Sequence, residues 1–454
     1  MRKLIILPAG DFIFSSFALL LAFSLRLGEV SGRGEIFGLT AAKFVIFGLV
    51  LLFVSFLFEL YDREKNLGKK EVLVRVFIEI IISSSILSSL YYAFPVIKLG
   101  RGILLLSVLS FALFQFLWHV SFRAYLMLPG SARKVLILGT GPLAQKIGEI
   151  VKSTNHSYTL TGYVNLPSES VCVPMDCILV NGKDNNLVDT ARKERADKIV
   201  VSLSERRGVF PLEEVMNCKF NGIEVVDAPS FYEEVTGKLF VEGITPSWFI
   251  FSDGFRLTRL RHFSKRIIDI FLSSVGLIII LPLFPLIALI IKIDSVGPIL
   301  LRQLRIGKEG NKFILYKFRT MYDNAENETG VIWAQKKDPR VTRFGKFLRK
   351  TRFDEFPQFY NVLKGDMSIV GPRPERPEFV EKLKKLVPYY SERHVVKPGI
   401  TGWAQIRYSY GSSVKDAREK LRYDLYYIKN ISLLLDFMII METIKVMLFG
   451  RGAR

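Results

Sequence analysis

Four long apolar runs within the first 127 residues limit the folds open to this chain more than any other feature. They extend to about Leu25 and over residues 38–60, 72–95 and 102–127. Each can cross the roughly 30 Å hydrocarbon layer of a bilayer as a helix, which satisfies its own backbone hydrogen bonds. No small-residue cleavage site follows the first run, so we expect it to be retained. The sequence therefore predicts a membrane protein with four transmembrane helices in residues 1–130.

Basic residues between the runs predict the orientation of these helices. The loop after the second run contains Arg63, Lys65, Lys69 and Lys70, whereas the loops after the first and third runs contain fewer cations. Because cytoplasmic loops carry the excess of Lys and Arg, the N-terminus and everything after the fourth run are predicted to be cytoplasmic. Three acids lie in or near the runs, and we interpret them as bundle-facing or interfacial, the alternative being a site. These acids are Asp11, Glu59 and Glu79.

The overall charge narrows the classes of partner. The chain has 63 Lys and Arg against 43 Asp and Glu, a net charge of +20. Such a balance suits an anionic membrane surface, a nucleic acid or phosphorylated substrates. No DNA- or RNA-binding signature is found, so we expect no nucleic-acid partner. Three cysteines without metal-binding spacing predict reduced thiols, and four scattered histidines argue against a zinc site.

A different pattern begins at Arg133, where an apolar strand leads into Gly139, Gly141 and Ala144. This G-x-G-x-x-A spacing between a strand and a helix is typical of a turn that places nucleotide phosphates at the helix N-terminus. Further strands are predicted at Thr159–Val164, Cys177–Val180, Lys198–Val201 and Gly222–Val226. Strands alternating with helices predict a Rossmann-like, doubly wound α/β domain over residues 131–250. Asn165 replaces the acid that would hold a ribose, so we favour a regulatory or assembly role over NAD chemistry.

A fifth apolar segment, Ile267 to Ile293, is interrupted by Pro282 and Pro285 and has basic residues on both flanks. A simple crossing would move all later residues outside, against the charge rule. We therefore predict a proline-kinked re-entrant helix over about 265–293, with both flanking domains on the cytoplasmic face. A strand pair is expected at about 299–305 and 312–317, followed later by a final helical region from about Ser413 to Leu448. Its apolar stretch, Leu433–Leu448, contains three charged residues, so we expect an interfacial helix rather than a fifth crossing.

Two adjacent acids, Asp354 and Glu355, follow a strongly basic stretch. Residues 336–352 contain eight Lys or Arg and one acid, Asp338, and a helix with one apolar face is predicted from Arg343. A carboxylate among cations stays ionised, and it can hold a divalent metal or attack phosphorus. The alternative is a helix N-terminal cap beside a solvated charge run, since Pro357 fits the first turn of a helix.

Four motifs occur in order after the kinked helix: Lys317-Phe-Arg319, Asp354-Glu355-x-Pro-Gln, Gly371-Pro-Arg373-Pro and Pro398-Gly-Ile-Thr-Gly-Trp-Ala-Gln405. Together they resemble the bacterial sugar transferases, the monotopic phosphoglycosyl transferases that act on polyprenyl phosphate. The resemblance is closest over about 260–450 and implies a monotopic α/β catalytic domain over residues 251–454. The four spans and the sheet domain resemble the long form of this family, which starts exopolysaccharide or O-antigen repeat units.

The resemblance also implies the chemistry. A UDP-sugar would give its sugar phosphate to undecaprenyl phosphate and release UMP, with Mg²⁺ required. Asp354 would be the nucleophile that forms a covalent phosphosugar intermediate, and Glu355 would help with metal or proton handling. The phosphate contacts would be Lys317, Arg319, Arg349 and Arg373, and further substrate-side or supporting residues would be Glu392, Thr401, Gln405 and Asp436. It further implies a bacterial inner-membrane location and a homodimer.

Three matters stay open at the level of sequence. Residues 406–411 depart from the pattern of simpler family members, so the sugar is not identified. A membrane-tethered NAD-dependent nucleotide-sugar epimerase or dehydratase is a second hypothesis, although the Tyr-x-x-x-Lys pair it needs is missing between residues 134 and 250. A non-enzymatic scaffold of polysaccharide assembly, with the Asp-Glu pair as a helix cap, is a third.

Overall fold

The structure is a computed structural model, and it forms two compact units, Met1–Val225 and Val226–Arg454. Fifteen parts of the chain are described: 6–27, 40–61, 68–126, 132–153, 158–166, 169–181, 187–203, 210–243, 249, 252–255, 258–323, 325, 338–408, 411 and 413–449.

The first unit opens with a bundle of four apolar helices. These are α1 (Ile6–Leu27), α2 (Thr40–Leu57), α3 (Lys69–Ala93) and α4 (Arg101–Leu126). By length and composition α1, α3 and α4 can each cross a membrane, and α2 is a shorter apolar helix. Three of the four predicted apolar helices are thus long and apolar enough to span a bilayer, and the crossing itself, like a span at α2, stays a prediction. Each helix contributes at least one large side chain to a shared apolar core, among them Leu19, Phe47, Leu87 and Phe111.

The predicted parallel sheet lies within residues 133–227, almost all of them in the first unit. Its strands are β1 (Arg133–Leu138), β2 (Tyr158–Asn165), β3 (Ile178–Asn181), β4 (Lys198–Val201) and β5 (Glu224–Asp227). Their order is β3-β2-β1-β4-β5, and the β1–β2, β1–β4 and β2–β3 pairs are parallel. The helices of this region are α5 (Pro142–Ser153), α6 (Leu187–Lys193) and α7 (Leu212–Phe220). Strand β5 begins two residues later than predicted, because Gly222, with φ +86°, belongs to a turn.

In the second unit, α8 (Ala228–Thr236) precedes a bent helix pair, α9 (Arg259–Ile280) and α10 (Phe284–Asp294). The two axes differ by 62°, and only together do the helices have the length and apolar character of a membrane span. The bend lies at Pro282 and Pro285, as predicted, because a proline in a helix removes a hydrogen bond and clashes with the preceding turn. The re-entrant course of this pair stays a prediction.

Polar side chains on the first turns of α9 attach this helix to the rest of the second unit. Arg266 donates to the carbonyl oxygens of Val362 and Leu363, at 2.6 and 2.7 Å. Asp269 Oδ1 accepts bonds from the hydroxyl of Ser368 and the N–H of Ile369, at 3.0 and 2.9 Å. Hydrogen bonds to charged groups stabilise a fold by about 1.5–3 kcal/mol each, so this end of the apolar helix is firmly fixed.

The remaining elements form an α/β core. They are β6 (Leu300–Ile306), β7 (Lys312–Phe318), α11 (Arg343–Thr351), α12 (Gln358–Lys364), β8 (Ser368–Val370), α13 (Pro377–Leu386), β9 (Gly399–Thr401), α14 (Trp403–Arg407), α15 (Val414–Lys429) and α16 (Leu433–Phe449). Strands β6 and β7 pair antiparallel, which confirms the predicted strand pair, and β8 and β9 pair parallel. The final helical region consists of two helices, α15 and α16. A capping box between Ser413 and Asp416 starts the first of them.

Candidate active site

The two acids occupy a short turn between two helices. Helix α11 ends at Thr351, the next residue, Arg352, has a left-handed φ of +61°, and a 3₁₀ turn over Phe353–Glu355 leads towards α12. Pro357 lies immediately before Gln358 rather than inside the first turn, and no side chain caps α12. Asp354 and Glu355 are 7 % and 8 % exposed. The pair is therefore buried, and it is not the solvated helix cap of the alternative interpretation.

Aromatic packing explains the orientation of this turn. Phe353 and Phe356 lie 5.0 Å apart, between ring centroids, and they pack against an apolar cluster that contains Phe318 and Leu348. Because the phenylalanines on either side of the acids pack into this cluster, the two carboxylates lie outside it. The predicted apolar face of α11 is only partly buried, since Leu348 is fully buried whereas Phe347 is 53 % exposed.

Asp354 has the environment of a reactive carboxylate. Its Oδ1 is buried and has no hydrogen-bond partner in the described part of the chain. Burial raises the pKa of Asp354 to about 6; the negative charge of Glu355 adds to this, and Lys317, Arg349 and Arg373 oppose it. Since pH 7 lies above this value, the group is mostly ionised, as predicted. A raised pKa also makes its oxygen more basic than that of an exposed aspartate.

Glu355 has a different environment, although it is the next residue. Arg373 Nη2 donates to Glu355 Oε1 at 2.6 Å, and Arg352 Nη1 lies 3.5 Å from the same oxygen. Burial alone would raise the pKa of Glu355, but Arg373 and Arg352 outweigh it and lower the pKa. Two neighbouring acids are thus pushed in opposite directions, which is a common mark of a catalytic pair. Glu355 is the anchor of Arg373.

Three of the four predicted phosphate contacts surround Asp354. Lys317 belongs to β7, Arg349 to α11 and Arg373 to the Pro-Arg-Pro turn, and each is close enough for its charge to act on the Asp354 carboxylate. Burial lowers the pKa of Lys317 to about 8, so its ammonium is mostly charged at neutral pH. Arg349 Nε donates to Thr320 Oγ1 at 2.9 Å, which fixes the guanidinium. The sequence predicted these cations, but it gave no sign of Thr320.

The Pro-Arg-Pro turn is held through three successive carbonyl groups. Pro372 O accepts a bond from Gly399 N at 2.9 Å. Arg373 O accepts one from Arg393 Nη2 at 2.9 Å, and Pro374 O accepts one from Arg305 Nη1 at 3.0 Å. A turn with two prolines has few N–H groups of its own, so carbonyl contacts fix its position.

Arg393 is one residue that sequence reasoning missed. It is 6 % exposed and forms an ion pair with the buried Asp424 at 2.8 Å. Its Nη1 also donates to the hydroxyl of Tyr390 at 2.7 Å. Arg393 lies outside all four motifs, and its neighbourhood in the sequence resembles an ordinary charged surface. A single sequence therefore carries no signal that separates it from the surrounding basic residues.

The other predicted site residues occupy different positions. Arg319 is 5 % exposed, and its Nη2 donates to Ser295 O at the end of α10, at 2.6 Å. Asp436 pairs with Lys265 at 2.7 Å, and Thr401 Oγ1 lies 2.6 Å from Thr443 Oγ1. Gln405 Nε2 donates to Ile400 O, and Glu392 is exposed. Within the described residues, no hydrogen bond or ion pair joins any of these five to Asp354 or Glu355. Their roles at the substrate stay predictions.

A divalent metal fits this site only together with a substrate. Across the described ranges, no group of three or more His, Cys, Asp or Glu side chains is arranged to hold a metal ion. One oxygen of Asp354 nevertheless has no hydrogen-bond partner among the described residues, whereas an oxygen of Glu355 is held by arginines. Mg²⁺ is usually bound through one or two carboxylates plus substrate phosphates and water. Asp354 and phosphate oxygens would supply such a donor set.

The glycine turn of the sheet region contacts an acid of its own chain. Gly139 has φ +124°, which only glycine adopts readily, and it is followed by Thr140. Thr140 N donates to Glu169 Oε2 at 2.7 Å, and Thr140 Oγ1 donates to Asn165 Oδ1 at 2.8 Å. Gly141 immediately precedes α5, and Ala144 is buried on that helix. The carboxylate of Glu169 therefore lies where the sequence predicts nucleotide phosphates, and nucleotide binding stays a prediction.

Comparison with known proteins identifies the region around the acids. Residues 260–450 match a family model described as "Bacterial sugar transferase". The chain is 48 % identical over 192 residues to a UDP-N-acetylgalactosamine-undecaprenyl-phosphate N-acetylgalactosaminephosphotransferase of Aeromonas hydrophila, covering 42 % of this chain and 45 % of that protein. It is 38 % identical over 280 residues to a UDP-glucose:undecaprenyl-phosphate glucose-1-phosphate transferase of Klebsiella pneumoniae, covering 59 % and 58 %.

A shorter relative is matched over nearly its whole length. The exopolysaccharide production protein PSS of Rhizobium leguminosarum bv. phaseoli is 42 % identical over 185 residues, which cover 40 % of this chain and 92 % of that protein. By contrast, the chain spans about half the length of the two larger relatives. Residues 260–450, which match the family model, contain the Asp354 turn and the cations around it.

Proposed function

Because the chain belongs to the bacterial sugar transferase family, we propose that it transfers a sugar 1-phosphate from a UDP-sugar to undecaprenyl phosphate and releases UMP. One observation carries this proposal: the buried Asp354 carboxylate, with one oxygen that no described residue hydrogen-bonds, lies among Lys317, Arg349 and Arg373. Anionic substrates on both sides of a reaction need such a concentration of positive charge. The Aeromonas hydrophila and Klebsiella pneumoniae relatives, whose names give a UDP-sugar and undecaprenyl phosphate as substrates, support the identity of the two substrates.

In the first half-reaction, Asp354 Oδ1 attacks the phosphorus that carries the sugar. A bond forms between this oxygen and phosphorus, the anhydride O–P bond breaks, and its electron pair leaves with UMP. Lys317, Arg349 and Arg373 bind the phosphate oxygens, whose negative charge would otherwise repel the carboxylate. Glu355 holds Arg373 in place for this contact.

In the second half-reaction, an oxygen of undecaprenyl phosphate attacks the same phosphorus. The acyl–phosphate bond breaks, and its electron pair returns to the Asp354 carboxylate. Direct attack of one phosphate on another would bring two anions together, whereas the two-step route lets the same cations serve both steps. A covalent phosphosugar on Asp354 is therefore part of the proposal.

A divalent metal, which we propose to be Mg²⁺, would be held by Asp354 and substrate phosphate oxygens, with Glu355 nearby. When bound, it supplies Lewis-acid stabilisation of charge on the phosphate oxygens. The exposed apolar residues of α9 and α10 suit contact with the lipid acceptor in a membrane, so we propose that transfer takes place at the cytoplasmic face of the inner membrane. These residues include Phe263, Ile267, Phe271, Ile278 and Leu289.

The decisive experiment measures UMP release by the full chain in detergent or nanodiscs, with Mg²⁺ and a panel of UDP-sugars. Wild type is compared with Asp354→Asn, and Asp366→Asn is the matched control because Asp366 forms a surface ion pair with Lys364. We expect release with one donor, dependent on undecaprenyl phosphate for turnover and lost only in Asp354→Asn. A burst without lipid, stoichiometric with enzyme, is expected from the covalent step.

Two outcomes would contradict the proposal. If folded wild-type protein releases no UMP with any donor, the scaffold hypothesis is favoured. If Asp354→Asn turns over as fast as wild type, Asp354 is not the nucleophile. An epimerase or dehydratase would instead alter the UDP-sugar without releasing UMP, and analysis of the nucleotide products distinguishes this case.

A further inference from the structure

The four-helix bundle encloses a cluster of polar side chains to which every helix contributes. Asp11 of α1, Ser55 of α2, Glu79 of α3, and Gln115 and His119 of α4 are all fully buried. Ionisable groups within membrane helices cost several kcal/mol and normally have a partner or a function. The transfer chemistry proposed at Asp354 does not use these residues.

Asp11 is the anion of this cluster. Its Oδ2 accepts bonds from the hydroxyl of Tyr61 at 2.8 Å and from Gln115 Nε2 at 2.9 Å. His119 Nε2 lies 3.0 Å from the same oxygen. Three donors thus meet one carboxylate oxygen, so a negative charge on Asp11 is well hydrogen-bonded, and the contact with Asp11 fixes the His119 tautomer that has a proton on Nε2.

The Glu79 carboxylate has fewer hydrogen-bond donors than that of Asp11. Its Oε1 accepts one short bond from Ser55 Oγ, at 2.6 Å, and lies 3.4 Å from Gln115 Nε2. The same amide nitrogen thus separates the carboxylates of Asp11 and Glu79. Two negative charges at this separation repel strongly in a medium of low dielectric constant, so the bundle favours a state in which one of them is neutral.

Four buried atoms of the cluster have no hydrogen-bond partner among the residues the structure describes. They are Glu79 Oε2, Ser83 Oγ, Gln115 Oε1 and His119 Nδ1. All lie on α3 or α4, and the last two are acceptors without a donor when His119 is neutral. A proton on Glu79 Oε2 would remove one negative charge and supply a donor at this helix interface.

The cations near the cluster are bonded to other groups, so they do not neutralise the Glu79 carboxylate. On α3, Arg75 donates to Phe58 O at 2.6 Å and lies 3.4 Å from Glu59 at the end of α2. On α4, Arg123 donates to Leu60 O at 3.3 Å. The other ionisable residue of α1, Arg26, is near its opposite end, as is Lys43 on α2. The cations nearest in sequence to the cluster, Arg75 and Arg123, are thus bonded to residues that follow the end of α2.

We propose that the bundle contains a proton-binding site, in which Glu79 holds one exchangeable proton beside an ionised Asp11 and a neutral His119. The proton comes from water and binds Glu79 Oε2, and its release leaves two carboxylates facing one amide. The site is independent of sugar phosphate transfer, and it makes the bundle sensitive to pH.

Infrared difference spectroscopy of the full chain in nanodiscs tests this directly, because the C=O band of a protonated carboxyl is separate from carboxylate bands. At neutral pH, the wild-type spectrum minus that of Glu79→Gln should contain one protonated carboxyl band, which disappears as the pH is raised. Glu59→Gln is the matched control: Glu59 is paired with Arg75, so its removal should affect only carboxylate bands.

Labelling all glutamates with ¹³C at the side-chain carboxyl keeps the test valid even if Glu79→Gln does not fold. A band that shifts with this label in wild-type protein belongs to a glutamate, which excludes buried aspartates elsewhere. Thermal unfolding should show the matching sign: the folded state binds the extra proton, so the stability of the bundle falls as the pH rises. Only carboxylate signals from glutamate at neutral pH, or no pH response of the band, would overturn the proposal.

Discussion

At the residue scale, Asp354 combines a stability cost with a chemical use. Burial raises its pKa above that of an aspartate in an unfolded chain, so at pH 7 the folded protein holds a carboxylate whose charge the fold disfavours. The three cations reduce this cost without removing it. A site in this state is ready to accept a neutralising bond, which is what attack on phosphorus provides.

This balance predicts opposite effects of Asp354→Asn on activity and stability. The amide keeps the volume and removes the disfavoured charge, so we expect the free energy of unfolding at pH 7 to rise by on the order of 1 kcal/mol while UMP release is lost. Chemical denaturation in detergent, read by tryptophan fluorescence, measures the first and the transfer assay the second. Asp366→Asn should change neither by much. A strong destabilisation by Asp354→Asn would show that its charge supports the fold.

Arg393 predicts a second residue-scale effect, since it holds the carbonyl of Arg373. We combine Arg393→Gln with Asp424→Asn, so that no buried charge is left unpaired. A displaced Arg373 should lower kcat by about tenfold to a hundredfold with a smaller change in KM. In an Arg373→Ala background the same double substitution should cost little more. Equal losses in both backgrounds would mean that Arg393 acts through the fold in general.

At the element scale, the close approach of α9 to α12 connects the bent helix to the active-site turn. A Cβ on Gly276 would lie 2.6 Å from the ring of Phe359. That ring is 5.4 Å from Phe356, between centroids, and Phe356 adjoins the two acids. The position of α9 is thus transmitted through two aromatic rings to Asp354.

We therefore expect Gly276→Ala to reduce the rate of sugar phosphate transfer several-fold. Alanine is favoured over glycine in a helix by about 1 kcal/mol, so helix α9 itself should not be weakened. Overpacking against Phe359, which typically costs 1–3 kcal/mol, is the cause we expect. Ser274→Ala on the same helix is the control and should transfer normally. A normal rate for Gly276→Ala would mean that the aromatic contact adjusts without moving Asp354.

The glycine turn at the end of β1 gives another element-scale prediction. Gly139 has φ +124°, and a Cβ there would lie 3.0 Å from Ser202 O, so Gly139→Ala should destabilise the sheet by more than 1 kcal/mol. Gly141 has no positive φ, and Gly141→Ala should have little effect. Proteolysis of the sheet domain distinguishes the two variants. Because the turn is far in sequence from Asp354, we expect only a modest change in sugar phosphate transfer from Gly141→Ala. If Gly139→Ala and Gly141→Ala were equally sensitive to protease, the special requirement for glycine at residue 139 would be contradicted.

At the scale of the whole molecule, the course of the bent pair α9–α10 decides where the catalytic core lies. If the pair is re-entrant, its two ends lie on the same side of the membrane. Replacing Cys172, Cys177 and Cys218 gives a background for single cysteines at exposed sites. His262→Cys and Val296→Cys report the two ends of the pair, and Tyr92→Cys, in the last turn of α3, reports the outer face.

A membrane-impermeant maleimide should label His262→Cys and Val296→Cys only in inside-out vesicles. Tyr92→Cys should be labelled only in intact spheroplasts, which verifies the orientation of both preparations. Labelling of Val296→Cys from the same side as Tyr92→Cys would show that α9 and α10 cross the membrane once. In that case Asp354 would lie on the outer face, away from cytoplasmic nucleotide sugars.

Features that depend on neighbours along the chain could be predicted from the amino-acid sequence alone. Apolar runs predicted three helices long and apolar enough to span a membrane, alternating strands and helices predicted the parallel sheet, and Pro282 with Pro285 predicted the position of the bend. The four motifs identified the family and the two acids. Each of these signals is local, because helix length, strand periodicity and proline geometry are fixed by residues a few positions apart.

Only the tertiary structure decided how those residues act on one another. Asp354 and Glu355 are adjacent, but their opposite environments depend on Lys317 and Arg373, which are distant in sequence. Residues distant in sequence also hold the Pro-Arg-Pro turn and bring Asp11 close to Glu79. From the sequence, Glu79 is interpreted as a bundle-facing or interfacial acid, because its partners lie on other helices and leave no local signal. Burial and charge depend on distance in space, and no local pattern records them.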